Sequence, residues 1–135
     1  MNDMEWVAKW LSKAQGDLTA AQRLLNDFHP PQLDISCYHS QQCAEKALKG
    51  YLTFKNHNFP FIHDLEQLCL LCINYDNSFN KLLNNCVDLT PYATQTRYPD
   101  EIEIEDQDAK NALIKAERIF AFVDDIISDI DNHKS

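Results

Sequence analysis

Turn-forming residues are scarce: two glycines, Gly16 and Gly50, and five prolines in 135 residues. A many-stranded fold needs frequent tight turns, so this shortage excludes one and favours a few long helices. Long hydrophobic runs are missing too. No stretch approaches the roughly eighteen apolar residues of a membrane-spanning helix. Positive charge is in deficit: 12 Lys and Arg against 21 Asp and Glu leave a net charge of −9, which disfavours generic polyanion binding. With the two glycines so far apart, the chain has no Walker loop, no dinucleotide fingerprint and no EF-hand glycine. The opening Met-Asn-Asp-Met-Glu-Trp has no basic region followed by an apolar core. A cytoplasmic location with reduced thiols is therefore expected for Cys37, Cys43, Cys69, Cys72 and Cys86.

What is present suits one globular domain spanning 1–135, with 44% hydrophobic residues to build its core. Residues 1–63 hold six acids and six bases, whereas 64–135 hold fifteen acids and six bases. The whole net charge thus falls in the second part, and any nucleotide site should lean on the neutral first half or on isolated cations.

Hydrophobic spacing predicts the elements. Trp6, Trp10, Ala14, Leu18, Ala21, Leu25 and Phe28 recur at three- or four-residue steps, giving a first helix that starts at a cap on Asn2 and ends before Pro30-Pro31. A second helix is expected from a cap on Asp34 to about Asn56. Its apolar arc is Cys37, Cys43, Ala44, Ala47, Leu48, Tyr51 and Phe54, and its opposite, solvated arc is His39, Gln41, Gln42, Glu45, Lys46 and Lys49. A short third helix fits Asp64 to about Asn74. A fourth begins near Asn77 or Ser78, is kinked or restarted at Pro91 and ends at Tyr98-Pro99. After an acidic loop, Ala109, Ala112, Leu113, Ala116, Ile119, Phe120, Val123, Ile126, Ile127 and Ile130 mark a long last helix, with Asp106 and Asp108 near its positive end. The expected fold is all-α: an up-and-down antiparallel bundle of four to five helices.

Most chemical motifs have plain structural explanations. Cys69-x-x-Cys72 has no second pair and falls on the apolar side of a helix, so two core thiols are expected there. His63-Asp64 lacks the partner ligands of a metal-binding doublet and fits a helix entry with Asp64 as N-cap. No metal site and no cofactor is predicted. Two clusters remain. His39, Gln42 and Lys46 share one strip of the second helix, and Ile35, Tyr38 and Leu52 on the same side suggest that a partner covers part of it. The other is Tyr92…Arg97-Tyr98-Pro99-Asp100, where a lone arginine beside tyrosine rings suits a phosphate clamp with a stacked base, or else pairs with the adjacent acids.

The helix-two block Cys37-Tyr-His-Ser-Gln-Gln-Cys-Ala-Glu-Lys-Ala-Leu-Lys49, followed by His63-Asp-Leu and by Arg97-Tyr-Pro-Asp100, resembles the HEPN domain, the higher eukaryotes and prokaryotes nucleotide-binding family. The likeness covers nearly the whole chain. It implies a helical bundle that forms homodimers and is paired with a minimal nucleotidyltransferase as a toxin–antitoxin-like couple. Many members of that family are metal-independent ribonucleases, marked by an Arg, a polar residue, three to five others and then a His. Here Ile102, Glu103 and Ile104 occupy the positions of that His, and none follows Arg97 before His133. The expectation is therefore a nucleotide- or RNA-end-binding module with no assigned catalytic residue. Its site would comprise Arg97, Tyr98, Asp100, His39, Gln42 and Lys46. The alternatives are a ribonuclease that uses Arg97 with His39 or His63 from another helix, and a purely structural dimeric interaction protein.

Overall fold

The structure, a computed structural model, describes residues 3–59, 61–94 and 103–133. Five α-helices account for most of them: α1 (Asp3–Asn26), α2 (Leu33–Phe54), α3 (Leu65–Tyr75), α4 (Leu83–Leu89) and α5 (Asp106–His133). No strand occurs among the described residues. The fold is the all-α helical bundle expected from the hydrophobic spacing.

The long α1 and α2 form an antiparallel hairpin. Val7, Ala14, Leu18, Ala21 and Leu25 form the stripe that α1 buries. Val7 begins it, and Trp6 and Phe28, expected on the inner face, are exposed because they fall off that stripe. Small residues let the two helices approach closely. The Ser36 hydroxyl donates to the Ala21 carbonyl at 2.8 Å, and a Cβ added at Gly50 would stand 3.2 Å from the Trp10 Cβ. The expected cap on Asn2 lies outside the described residues.

α2 departs most from its sequence reading. It begins at Leu33, one residue before the expected cap on Asp34, with Gln32 as an N-cap that makes no side-chain hydrogen bond. More important, it is buried on nearly every side. Leu48 and Ala47 are fully buried as expected, but so are Gln41 and Leu52, and Glu45 and Lys49 are nearly so. The expected solvated arc is corrected accordingly: α2 is the central helix, with α1, α3, α4 and α5 around it. The loop after α2 closes what remains.

That loop is set by the end of α2. Asn56 adopts a left-handed φ of 56°, which asparagine tolerates better than most residues. The Asn56 N–H donates to the Thr53 carbonyl and the His57 N–H to the Leu52 carbonyl, each at 2.9 Å, a paired helix stop that turns the chain back. Asp64 then caps α3 as predicted, accepting from the Glu66 N–H at 2.9 Å and the Gln67 N–H at 3.4 Å.

The fourth helix, expected to be kinked or restarted at Pro91, breaks there and also at its start, giving three pieces. A 3-10 segment spans Asn77–Leu82, α4 follows, and a 3-10 turn spans Thr90–Tyr92 around Pro91. Asp76 explains the start, accepting from the Ser78 N–H at 2.9 Å and the Ser78 hydroxyl at 2.6 Å. Those bonds, the hydroxyl's first, hold the Asp76 carboxyl below the usual carboxylate range. The expected end of that helix at Tyr98-Pro99 lies outside the described residues. α5 agrees closely with its pattern, burying Ala109, Ala112, Leu113, Ala116, Ile119, Val123 and Ile127. Its start is fixed by the Asp108 carboxylate, which accepts from the Glu105 N–H at 2.9 Å.

The two glycines should respond oppositely to substitution. Gly16 has open space around it, so Gly16→Ala gains helix propensity and should stabilise by about 0.5–1 kcal/mol. Gly50→Val drives a branched side chain into Trp10 and should cost about 1–3 kcal/mol. Urea unfolding measures both, and equal shifts of the same sign would contradict the close packing of α1 on α2.

Candidate functional site

The polar residues of α2 form two linked clusters. In the first, Asp17 on α1 stands between His39 and Lys46. The His39 Nδ1 lies 2.9 Å from Asp17 Oδ1, and the Lys46 ammonium pairs with Asp17 Oδ2. Asp17 is largely buried, whereas His39 and Lys46 each keep about a quarter of their side chains in solvent. The Asp17 carboxylate offsets the Lys46 charge. The trio is a strip of oriented hydrogen-bonding groups rather than a cation cluster.

The second cluster is drier. The Lys49 ammonium donates to Glu45 Oε2 at 3.0 Å, one turn apart, and both side chains are more than nine-tenths buried. The Gln41 amide donates to Glu45 Oε1 and to the His63 carbonyl, both at 3.3 Å. Gln42 joins by donating to Gln41 Oε1 at 2.7 Å. The His63 Nδ1 lies 3.1 Å from both Glu45 oxygens. An ionised carboxylate only accepts, so this geometry calls for a donor at Nδ1. Lys49 also lies against the rings of Trp10 and Phe59, 5.9 and 5.8 Å from their centroids. A charge buried this deeply needs such partners, because desolvation costs several kcal/mol per ion.

Both imidazoles thus offer Nδ1 to a buried carboxylate, and among the described residues neither Nε2 makes a hydrogen bond. A side chain held in this way can accept or deliver a proton, or bond a phosphate or hydroxyl, with little reorganisation. His63 is the more open, with 61% of its side chain exposed.

Of the predicted site residues, the structure brings His39 and Lys46 together on Asp17 and places Gln42 beside them. Arg97, Tyr98 and Asp100 lie outside the described residues. The suggestion that a partner covers Leu52 is corrected: this chain buries it completely. Ile35 stays exposed and Tyr38 half-buried. Sequence reasoning missed Asp17, and it placed Glu45 and Lys49 in solvent. The available signal was the i, i+4 spacing of Glu45 and Lys49, with Gln41 one turn earlier.

The cysteines are buried thiols. Desolvation, with Asp17 nearby, pushes the Cys43 thiol up, and burial does the same to Cys72. Cys86 is pushed up by its hydrogen bond to Cys69, which in turn lowers Cys69. Cys69 also donates to the Phe79 carbonyl at 3.5 Å. Among the described residues no group of His, Cys, Asp or Glu is arranged to hold a metal ion, and no helix is long and apolar enough to cross a membrane.

A helical bundle with this polar strip along its central helix defines a class, and comparison with known proteins agrees. The HEPN domain pattern matches residues 7–126, and the chain belongs to the HEPN domain family. It is similar to the Methanocaldococcus jannaschii protein named "Putative toxin MJ1304", with 25% identity over 94% of this chain and 91% of the relative. Among solved structures, TT1696 from Thermus thermophilus superposes with a TM-score of 0.73 at 28% identity, covering 88% of this chain and 96% of that one. ST0689, described as an archaeal HEPN homologue, gives 0.70 at 28% identity over 90% and 97%.

Glu45→Ala would leave Lys49 as an uncompensated buried charge and should cost about 3–5 kcal/mol in urea unfolding. The double variant Glu45→Met with Lys49→Met should recover most of that loss. A single variant as stable as wild type would show that the pair is not buried.

Proposed function

We propose that this chain is a nucleotide- or RNA-end-binding HEPN module, dimeric and paired with a minimal nucleotidyltransferase in a toxin–antitoxin-like couple. It acts as a binding and regulatory subunit. The observation that carries the reading is the strip on α2, where His39, Gln42 and Lys46 stand partly exposed with their hydrogen-bonding groups oriented by Asp17 and Gln41. Such groups suit base edges and ribose hydroxyls, and Arg97 supplies the charge for a phosphate, with Tyr98 and Asp100 beside it in sequence. Support for the toxin-like setting comes from the name of the archaeal relative.

One observation favours a second reading, a metal-independent ribonuclease. His63 and His39 each present an Nδ1-anchored imidazole, which is what a general base needs in place of the histidine absent after Arg97.

Calorimetric titration with ATP, AMP and a short single-stranded RNA tests the first reading. Wild type should bind at least one of the three, and Arg97→Ala should lose that binding with an unchanged Tm. Equal affinity in the variant overturns the assignment. Incubation with labelled mixed-sequence RNA separates the two readings: the binding module leaves it intact, whereas cleavage that disappears in His63→Ala or His39→Ala establishes the ribonuclease.

A further inference from the structure

The α2 strip changes character along its length, and the order suits one ligand lying in one direction. Its first turns carry Ile35, exposed, and Tyr38, half-buried with its ring edge-on to His39 at 5.3 Å between centroids. His39 and Gln42 follow with their oriented hydrogen-bonding groups, and Lys46 closes the strip. At about 1.5 Å per residue, Tyr38 and Lys46 stand about 12 Å apart along the axis, room for a base, a sugar and a phosphate chain laid end to end.

The Lys46 end needs a second cation to hold a phosphate, because Asp17 offsets the charge of Lys46. Lys13 of α1 stands where that cation is required. Three residues before it, Trp10 packs against α2 at Gly50 and Lys49. Four residues after it, Asp17 turns one carboxylate oxygen to His39 and the other to Lys46. Residues three and four apart are neighbours on a helix face, so Lys13 lies on the α1–α2 seam between those two contacts, at the Lys46 end of the strip.

Lys13 is also uncommitted. It is exposed, and among the described residues it makes no ion pair, hydrogen bond or ring contact. The other lysines of residues 1–63 are engaged: Lys9 over Trp6, Lys46 on Asp17, Lys49 on Glu45, and Lys55 over Tyr51 and Phe54. The local balance is positive in a chain of net charge −9, since residues 9–17 hold two lysines and one acid, and so do residues 39–49. An anion drawn to this chain therefore finds its attractive surface at this seam.

We propose that Lys13 and Lys46 form the phosphate subsite of the strip. A nucleotide then lies along α2 with its base against Tyr38, its ribose on His39 and Gln42, and its phosphate chain between the two ammonium groups. This arrangement rests on the nucleotide-binding reading; it gives the ligand a direction and two phosphate contacts besides Arg97.

Calorimetric titration of the full chain with ATP, adenosine and tripolyphosphate tests it. Wild type should bind ATP roughly tenfold tighter than adenosine. Lys13→Gln should remove most of that difference and leave adenosine binding unchanged, whereas Lys13→Arg should preserve it. Lys81→Gln, at an exposed lysine on the 3-10 segment before α4, should match wild type. Tyr38→Leu should weaken ATP and adenosine by the same factor. Lys13→Gln binding ATP as tightly as wild type, or wild type binding ATP no tighter than adenosine, would overturn the subsite. Tyr38→Leu with unchanged affinities would overturn the direction. Tripolyphosphate has no base and separates this inference from the reading beneath it. If it binds wild type but not Lys13→Gln, and ATP binds no tighter, the subsite stands and the nucleotide reading falls. ATP binding lost in Arg97→Ala but untouched in Lys13→Gln keeps the nucleotide reading and removes the subsite. Wild type that binds neither ATP nor tripolyphosphate overturns the subsite outright.

Discussion

The Glu45–Lys49 ion pair is the constraint on which the rest of this molecule depends. Two opposite charges one helical turn apart are sealed between α2, Trp10 of α1, and the loop carrying Phe59 and His63. Neither charge tolerates that position alone, so each surrounding group has a defined place. Trp10 must lie close to Gly50 to cover Lys49. The loop must turn back at Asn56 to bring His63 to Glu45. Gln41 must satisfy both the carboxylate and the His63 backbone. Removing one partner of such a pair is costly because it strands the other charge in a dry site.

The same pair connects fold and function. By holding the loop, Glu45 orients an imidazole that is mostly in solvent. Through Gln41 and Gln42 it reaches the strip where Asp17 orients His39 and Lys46. Carboxylates that are themselves buried and already bonded hold their imidazoles without moving, which is the preorganisation that a binding or proton-transfer site requires.

Much of the fold was legible in the sequence, because helical periodicity is a local property. The stripe on α5 from Ala109 to Ile127 and the Asp64 cap read directly. α2 did not, and the reason is physical. Period and polarity tell which residues share an arc, but they do not tell whether a neighbour covers that arc. Gln41, Glu45 and Lys49 look solvated by type and are buried because α1 and a loop close over them. The break at Pro91 was legible, but the 3-10 start of the fourth helix was hidden, since Asp76 and Ser78 favour a tight turn that hydrophobic spacing does not register. Of the site, His39, Gln42 and Lys46 were visible as a strip. Asp17, which orients two of them, was not, because it comes from another helix at a sequence distance no local pattern spans.

The most direct measurement is the tautomer of His63, read from its ring nitrogen shifts in two-bond proton–nitrogen correlation spectra of the full chain at neutral pH. A buried Glu45 carboxylate facing Nδ1 predicts the Nδ1–H form, with a bare Nε2. The ordinary Nε2–H form would mean that His63 is not held by Glu45, and the preorganised loop would go with it.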